Sequence, residues 1–239
     1  ANRYGVHFAD YDAFHRWSVE AREDFWSAVW TYCGVIGEAG ERVLIDRDDM
    51  LHARFFPDAE LNFAENLLSR GGPDDALIFR GEDKVEARWS WDRLREEVSR
   101  LQQAFAERGI EAGDRIAAMM PNMPQTVALM LAATSLGAVW SSCSPDFGEQ
   151  GVLDRFGQIG PKLFIACDGY WYNGKRQEVA DKAKAVDKKL GVPLLLVPYA
   201  GSTQTDQENE AGILHYDDVI QPFQPKALHY LRQPFSHPL

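Results

Sequence analysis

The 239-residue sequence predicts an α/β fold: a parallel sheet flanked by helices and preceded by a helical extension. The first observation behind this prediction is that short apolar segments of strand length alternate with amphipathic segments of helix length between Arg115 and Val197. The second is that the connections are short, so helical crossovers join strands that run parallel. The third is that the strand segments are almost continuously apolar, which is typical of strands covered on both faces.

Composition and charge exclude several classes of function. The chain has 25 Lys+Arg against 36 Asp+Glu, a formal net charge of −11, and therefore lacks the basic face of a nucleic-acid-binding protein. A local positive pocket for a small anion remains compatible with this charge. No apolar run reaches the roughly 18 residues of a membrane span. Three separated cysteines, Cys33, Cys143 and Cys167, with no CxxC, predict reduced thiols in a cytoplasmic protein.

Residues 1–60 are predicted to form the helical amino-terminal extension. The pattern is helical over Asp10–Cys33, with Asp10 as the N-cap and Gly34 as the terminating residue. We interpret the many rings of this segment as a stripe packed against the main domain, and a ligand cage is the alternative. The rings belong to Tyr11, Phe14, Trp17, Phe25, Trp26, Trp30 and Tyr32.

Residues 61–239 are predicted to form a partial α/β domain. The predicted strands are Ala76–Arg80, Val85–Trp89, Arg115–Met120, Ala138–Cys143, Lys162–Cys167 and Pro193–Val197. The predicted helices are Asn62–Arg70, one capped by Ser90 and ended by Gly109, one opened by Asn122 and Pro124 and closed by Gly137, Glu149–Ile159, and Lys175–Leu190. Residues 199–213 are polar and predict a loop or linker, and Gln221–Leu239 shows no clear period.

Three connections follow the carboxyl ends of predicted parallel strands, where open sheets bind ligands. We interpret the proline-rich turn 121–124 as structural. The loop 141–148 is small, polar and glycine-ended, and it leads into a helix N-terminus, which attracts anions. A plain connecting loop is its alternative. Segment 168–176 places three aromatic residues beside a Gly-Lys-Arg turn, suited to stacking a base and holding a phosphate. A solvated helix start is the alternative here.

Three segments carry a resemblance to a known family. They read YDAFHRWSVEAREDFWSAVWTYCG, LNFAENLL and GDRIAAMMPNMPQTVALMLAATSLGAVWSSCSPDFG, and WSSCSPDFG is the most specific part. They resemble the amino-terminal part of the acetoacetate–CoA ligases, which belong to the acyl-adenylate-forming superfamily. The resemblance extends over nearly the whole chain.

The resemblance implies a two-step reaction. Acetoacetate attacks ATP to give an acyl-adenylate and diphosphate, and the CoA thiolate then displaces AMP. ATP, CoA and Mg²⁺ are the implied cofactors, with no nucleic acid or membrane partner. The family's Ser/Thr- and Gly-rich phosphate loop is absent, and in relatives it follows the equivalent of residues 237–239. We therefore expect an amino-terminal fragment that is inactive alone, and we assign it no catalytic and no metal-binding residue.

The resemblance implies that part of the CoA site remains in this chain. Carried over by position, Phe147 and Gly148 border the path of the thiol, and Lys175 meets a phosphate of the CoA nucleotide. Arg176 is a further candidate for that contact. Relatives more often have Arg at these basic positions, and Tyr172 stands where one of those Arg residues would be. CoA is the one cofactor that this segment is expected to bind.

Two other classes of function stay open from the sequence. One is a stand-alone α/β module that binds a nucleotide or CoA without catalysis. The other is a structural piece whose aromatic helix docks a partner. We also expect the fragment to self-associate, because a sheet without its neighbours exposes an apolar edge.

Overall fold

The computed structural model describes residues 6–199 and 212–239. The helices are α1 Tyr11–Glu20, α2 Arg22–Cys33, α3 Phe63–Leu67, α4 Trp91–Glu107, α5 Pro124–Ser135, α6 Glu149–Phe156, α7 Ala180–Leu190 and α8 Tyr216–Ile220. The strands are β1 Gly37–Glu38, β2 Leu44–Ile45, β3 Arg54–Phe55, β4 Glu60–Leu61, β5 Asp75–Gly81, β6 Val85–Ser90, β7 Arg115–Met119, β8 Val139–Cys143, β9 Leu163–Cys167, β10 Gly169–Tyr172, β11 Lys175–Glu178, β12 Leu194–Val197, β13 Ile213–His215 and β14 Gln233–Pro234.

A five-stranded parallel sheet forms the centre of the fold, which confirms the predicted α/β class. Its strand order is β13-β12-β9-β7-β8, and every neighbouring pair is parallel. The chain moves outward from β7 to β8 and then returns to the other side of β7 to form β9. The strand order therefore reverses between β7 and β9, the point at which sheets of this kind bind ligands. Right-handed crossovers place α5 and α6 on opposite faces of the sheet.

The apolar strand segments are buried as their composition predicts. Every residue of β9 and of β12 is buried, and β7 is buried from Ile116 onward. Helix α4 begins where Ser90 accepts a hydrogen bond from the Arg93 amide at 3.2 Å, as predicted for its N-cap. Its buried face includes Leu94, Val98, Leu101 and Phe105.

The chain divides into two compact units, one of residues 6–62 with 232–238 and the other of 63–199 and 212–231 with Leu239. In the first unit, Asp10 caps α1 as predicted, through a 2.8 Å hydrogen bond from the Ala13 amide. Helical structure in this unit ends at Cys33, followed by short strands, among which β4 pairs with both β1 and β14. The predicted boundary at residue 60 stays a prediction.

The predicted continuous helix over Asp10–Cys33 is wrong, because the structure breaks it at Ala21. The bend lets the Phe25 ring of α2 pack edge-on against Trp17 of α1, with centroids 5.7 Å apart. Burial of these rings against each other stabilises the bend.

The predicted helix Lys175–Leu190 is also wrong in its first turn. Residues 175–178 form β11, which pairs antiparallel with β10, and α7 begins only at Ala180. The turn between these strands has positive φ at Asn173 (50°) and Gly174 (72°). This is the type I′ conformation that joins two strands tightly, and it fixes a hairpin where the Lys-rich pattern predicted a helix.

Three smaller differences concern loops. Asn122 does not cap α5, since Met123 occupies the N-cap position without a side-chain hydrogen bond. The predicted loop 199–213 lies mostly outside the described residues, and Ile213 already belongs to β13. None of the helices in residues 6–199 and 212–239 is long and apolar enough to span a membrane.

Candidate functional site

The carboxyl ends of β7, β8 and β9 meet at one edge of the sheet, and a connection leaves from each of them. The turn 121–123 follows β7, and the loop 144–148 follows β8. Asp168 then leads from β9 into the β10–β11 hairpin. Two of these connections hold all four predicted coenzyme-binding residues. The edge lies beside the reversal of strand order, so fold and sequence point to the same place.

The loop 144–148 is held in place by Lys182 of α7. The Lys182 ammonium group donates hydrogen bonds to the carbonyl oxygens of Pro145, at 2.6 Å, and Phe147, at 2.8 Å. The Phe147 ring is 38% exposed, and the guanidinium of Arg155 lies 5.2 Å from its centroid. The backbone of Phe147 is therefore fixed while its ring faces solvent, as a residue that borders a ligand path requires.

Gly148 is the N-cap of α6, with φ −66° and ψ 157°. This is ordinary extended backbone, which any residue adopts. A Cβ atom added here would meet no heavy atom within 4 Å. The fold itself therefore leaves room for a side chain at this position, and the space above it is open.

The β10–β11 hairpin presents an aromatic ring and a cation side by side. Tyr172 and Lys175 are cross-strand partners at the end of the hairpin, next to the turn, so their side chains lie on the same face. Both are exposed, Tyr172 by 66%. A ring beside an ammonium group is suited to a base that carries a nearby phosphate.

The two predicted cations of the hairpin differ in their surroundings. Arg176 donates a hydrogen bond to Glu178 at 2.7 Å, and its guanidinium lies 3.5 Å from the Asp168 carboxylate. Within residues 6–199 and 212–239, the side chain of Lys175 has no hydrogen bond or ion pair. Its ammonium group is available to an incoming anion, while Arg176 is already engaged by two carboxylates.

Glu82 and Lys182 are the residues of this edge that sequence reasoning missed. Glu82 accepts hydrogen bonds from the backbone amides of Asn173 and Gly174, at 2.5 and 2.7 Å. It is 91 positions from Asn173 in the chain, and no local pattern signals such a contact. Lys182 belongs to a Lys-rich helix that reads as a solvated face. Its contacts with Pro145 and Phe147 are 37 and 35 positions apart in the chain, so no local pattern signals them either.

Cys143 lies at the end of β8, directly before the loop. Burial raises the pKa of its thiol to about 11, although the positive charges of Arg155 and Lys182 act to lower it. The thiol is therefore protonated at neutral pH and lacks the lowered pKa of a reactive cysteine. The described part of the chain contains no cluster of His, Cys, Asp and Glu able to hold a metal ion.

A separate apolar cavity of about 270 Å³ lies in the amino-terminal unit. It is lined by Val6, Phe8, Phe14, Trp17, Phe25, Ala28, Val29 and Tyr32. These rings pack mainly on one another, for example Phe8 and Phe14 with centroids 5.3 Å apart. Among the described residues, the surface that lines this cavity is apolar.

Two family models match the chain. The model described as AMP-binding enzyme matches residues 67–231, and the one described as acetyl-coenzyme A synthetase N-terminus matches residues 11–67. Together they extend over the sheet, its helices and most of the amino-terminal unit.

Similar individual proteins carry related names. The acetoacetyl-coenzyme A synthetase of Rhizobium meliloti (strain 1021) is 65% identical over 99% of this chain, which covers 36% of that relative. The malonamoyl-CoA synthetase of Penicillium aethiopicum is 31% identical over 99% of this chain and 35% of its own length. The solved structure of acetoacetyl-CoA synthetase from Streptomyces lividans matches with a TM-score of 0.86 and 34% identity, over 96% of this chain and 35% of that one. The chain thus spans little more than a third of the relatives it matches.

Proposed function

Since this chain belongs to the AMP-binding enzyme family, we propose that it forms the amino-terminal part of an ATP-dependent acetoacetate–CoA ligase. The observation that carries this proposal is the 65% identity with an acetoacetyl-coenzyme A synthetase over 99% of the chain. The whole ligase converts acetoacetate, ATP and CoA to acetoacetyl-CoA, AMP and diphosphate. The carboxylate first attacks the α-phosphate of ATP, and the CoA thiolate then displaces AMP from the acyl-adenylate.

In this proposal the chain contributes part of the CoA site. Phe147 and Gly148 border the path of the thiol, supported by the exposed ring of Phe147 and the open space at Gly148. Lys175 meets a phosphate of the CoA nucleotide, supported by its exposed and unengaged ammonium group among the described residues. Arg176 adds positive charge beside it, although Asp168 and Glu178 already bind its guanidinium.

Chemistry at the α-phosphate is assigned to other parts of the ligase. Negative charge develops on phosphoryl oxygens in that step, so it needs aimed donors and Mg²⁺. The residues described in this structure include no group of acids suited to a metal ion. We therefore derive no step through magnesium from this chain and assign it no catalytic residue.

The partners of this ligase are the small molecules acetoacetate, ATP and CoA. We also propose a cytoplasmic location, supported by the three unpaired cysteines. Residues 1–60 are proposed to be the amino-terminal extension of acetyl-CoA synthetase type, and residues 61–239 part of the adenylate-forming domain.

The test compares the full-length ligase with the 239-residue chain in a diphosphate-release assay. We expect acetoacetate-dependent release from the full-length protein and none from this chain alone. Acetate and malonamate serve as competing acids in the same assay, because relatives of this chain carry the names of different acyl-CoA products. Preference of the full-length protein for another acid would overturn the assignment of acetoacetate. Turnover by the 239-residue chain would overturn the proposal that this chain contains no catalytic residue.

A further inference from the structure

We propose that Glu82 is a positioning residue that fixes the Lys175 turn for contact with the ribose 3′-phosphate of CoA. This inference rests on the proposed function, since it assigns a role within the CoA site. Glu82 lies in the connection between β5 and β6, far along the sequence from the hairpin that it contacts. The family resemblance assigns no role to Glu82.

The geometry of the contact carries the inference. One carboxylate oxygen of Glu82 accepts the amide of Asn173 at 2.5 Å, and the other accepts the amide of Gly174 at 2.7 Å. Both amides belong to the two positive-φ residues that make the turn, directly before Lys175. Carboxylate bonds to backbone amides are charge-assisted and among the stronger hydrogen bonds of proteins. Glu82 therefore fixes the peptide units 172–173 and 173–174, which directly precede Lys175.

Glu82 holds an unfavourable backbone conformation in the tight turn between β5 and β6, in which the Lys84 amide donates a hydrogen bond to the Gly81 carbonyl. Its φ is 55°, in the left-handed region that a residue with a Cβ seldom adopts. Such a conformation is unfavourable and persists where the surroundings require it. The side chain is exposed, so burial of apolar surface does not explain the choice of residue. The two hydrogen bonds to the turn do explain it.

Tyr199 also holds the two hairpins near each other. Its buried ring packs edge-on against Phe79 of β5, with centroids 6.2 Å apart, and its backbone amide donates a hydrogen bond to the Asp168 carboxylate, directly before β10, at 2.8 Å. Tyr199 therefore contacts β5 and the residue before β10, while Glu82 joins the turns of the two hairpins. The turn amides are already satisfied, so an incoming phosphate meets the Lys175 ammonium group rather than the backbone.

The test uses calorimetry on the full-length protein to measure the dissociation constants of CoA and of dephospho-CoA. Dephospho-CoA lacks the ribose 3′-phosphate. We expect wild type to prefer CoA by roughly tenfold, the size of one charge-assisted contact. Lys175→Ala abolishes this preference. Glu82→Ala lowers it to about threefold and leaves the affinity for dephospho-CoA unchanged, because the untethered turn no longer presents Lys175. The double variant discriminates no worse than Lys175→Ala alone.

Asp83→Asn is the matched control, since it removes an exposed carboxylate from the same connection without touching the turn. Within the described part of the chain Asp83 pairs only with Lys84, at 3.3 Å, so this variant measures the effect of charge alone and is expected to keep the wild-type preference. Glu82→Gln, which retains one acceptor, gives an intermediate ratio and serves if the Ala variant fails to fold.

The outcomes separate the two proposals. A preference in Glu82→Ala and Glu82→Gln that equals or exceeds that of wild type would overturn the positioning role, while loss in Lys175→Ala keeps the CoA site. No preference in wild type, or no loss in Lys175→Ala, would overturn the phosphate contact and the role of Glu82 together. Binding is measured without turnover, so failure of the acetoacetate assay affects neither conclusion.

Discussion

The ammonium group of Lys182 lies 2.8 Å from the carbonyl oxygen of Phe147 and donates a hydrogen bond to it. The same group donates to Pro145 at 2.6 Å, so a residue of α7 fixes the loop that follows β8. This loop carries two of the proposed CoA residues. Its conformation therefore depends on a helix that begins only after the next strand and hairpin.

Replacement of Lys182 by Met keeps most of the apolar stem and removes both hydrogen bonds. We expect Lys182→Met to lower the free energy of unfolding by about 1–2 kcal/mol and to raise the KM for CoA of the full-length ligase. Lys188→Met on the same helix is the control, because Lys188 is exposed. Denaturant unfolding and steady-state kinetics measure the two effects. Equal behaviour of the two variants would contradict the role of Lys182.

Gly148 offers a test of the proposed thiol path. Its backbone is ordinary and its missing Cβ faces open space, so Gly148→Ala costs at most about 1 kcal/mol, through the weaker N-cap. If the pantetheine arm passes here, the added methyl group raises the KM for CoA severalfold with little change in the KM for ATP. A KM for CoA that matches wild type would remove Gly148 from the path.

The core sheet could be predicted from the sequence because its signals are local. The buried segments Leu163–Cys167 and Leu194–Val197 are continuous apolar runs, and Gly191 ends the helix before the second of them in the left-handed conformation. The order of the strands could not be derived in this way. It depends on pairing between β7 and β9, which β8 and α6 separate in the chain.

The β10–β11 hairpin shows how two local signals compete. Asn173-Gly174 is the strongest short signal for a type I′ turn, yet the charged pattern that follows favours a helix. The turn prevails because the four residues of β11 pair with β10 and because Glu82 binds the turn amides. Glu82 lies in a distant part of the chain. The sequence therefore predicted that Lys175 follows a turn, but not that it lies in a strand.

Gly81 is required by a close approach to Tyr199. A Cβ at residue 81 would lie 2.3 Å from the Tyr199 hydroxyl oxygen. Gly81→Ala is therefore expected to lower the free energy of unfolding by about 1–3 kcal/mol, as for other overpacked sites. Gly151→Ala is the matched comparison, since its Cβ would only touch the Phe147 ring at 3.4 Å inside a helix. We expect that variant to gain about 0.5–1 kcal/mol in chemical unfolding. Equal effects would contradict the steric argument.

Two buried thiols make stability depend on alkaline pH. Burial raises the pKa of Cys143 to about 11 and that of Cys167 to about 12, from 9.0. The folded state therefore favours the protonated thiol, and this stabilisation is complete below pH 9 and declines as the pH rises toward 12. By about pH 10 the loss is roughly 1 kcal/mol for each thiol. Urea unfolding across this pH range checks the expectation in two variants, Cys167→Ala and the control Cys33→Ala, whose thiol is exposed. Only Cys167→Ala should reduce the loss of unfolding free energy as the pH rises.

Self-association of this chain is expected to proceed through the sheet edge at β8. This strand is one of the two outer strands of the five-stranded sheet, and its Val139 and Trp140 are only half-buried. A strand at an edge presents backbone groups to which a second copy can add, and an added lysine blocks such pairing. We expect light scattering to detect oligomers of the 239-residue chain at high concentration and Ser142→Lys to reduce them. Ser69→Lys adds the same charge at an exposed site outside this sheet and leaves association unchanged. A clean monomer in wild type would contradict this expectation, and equal effects of the two lysines would place the contact elsewhere.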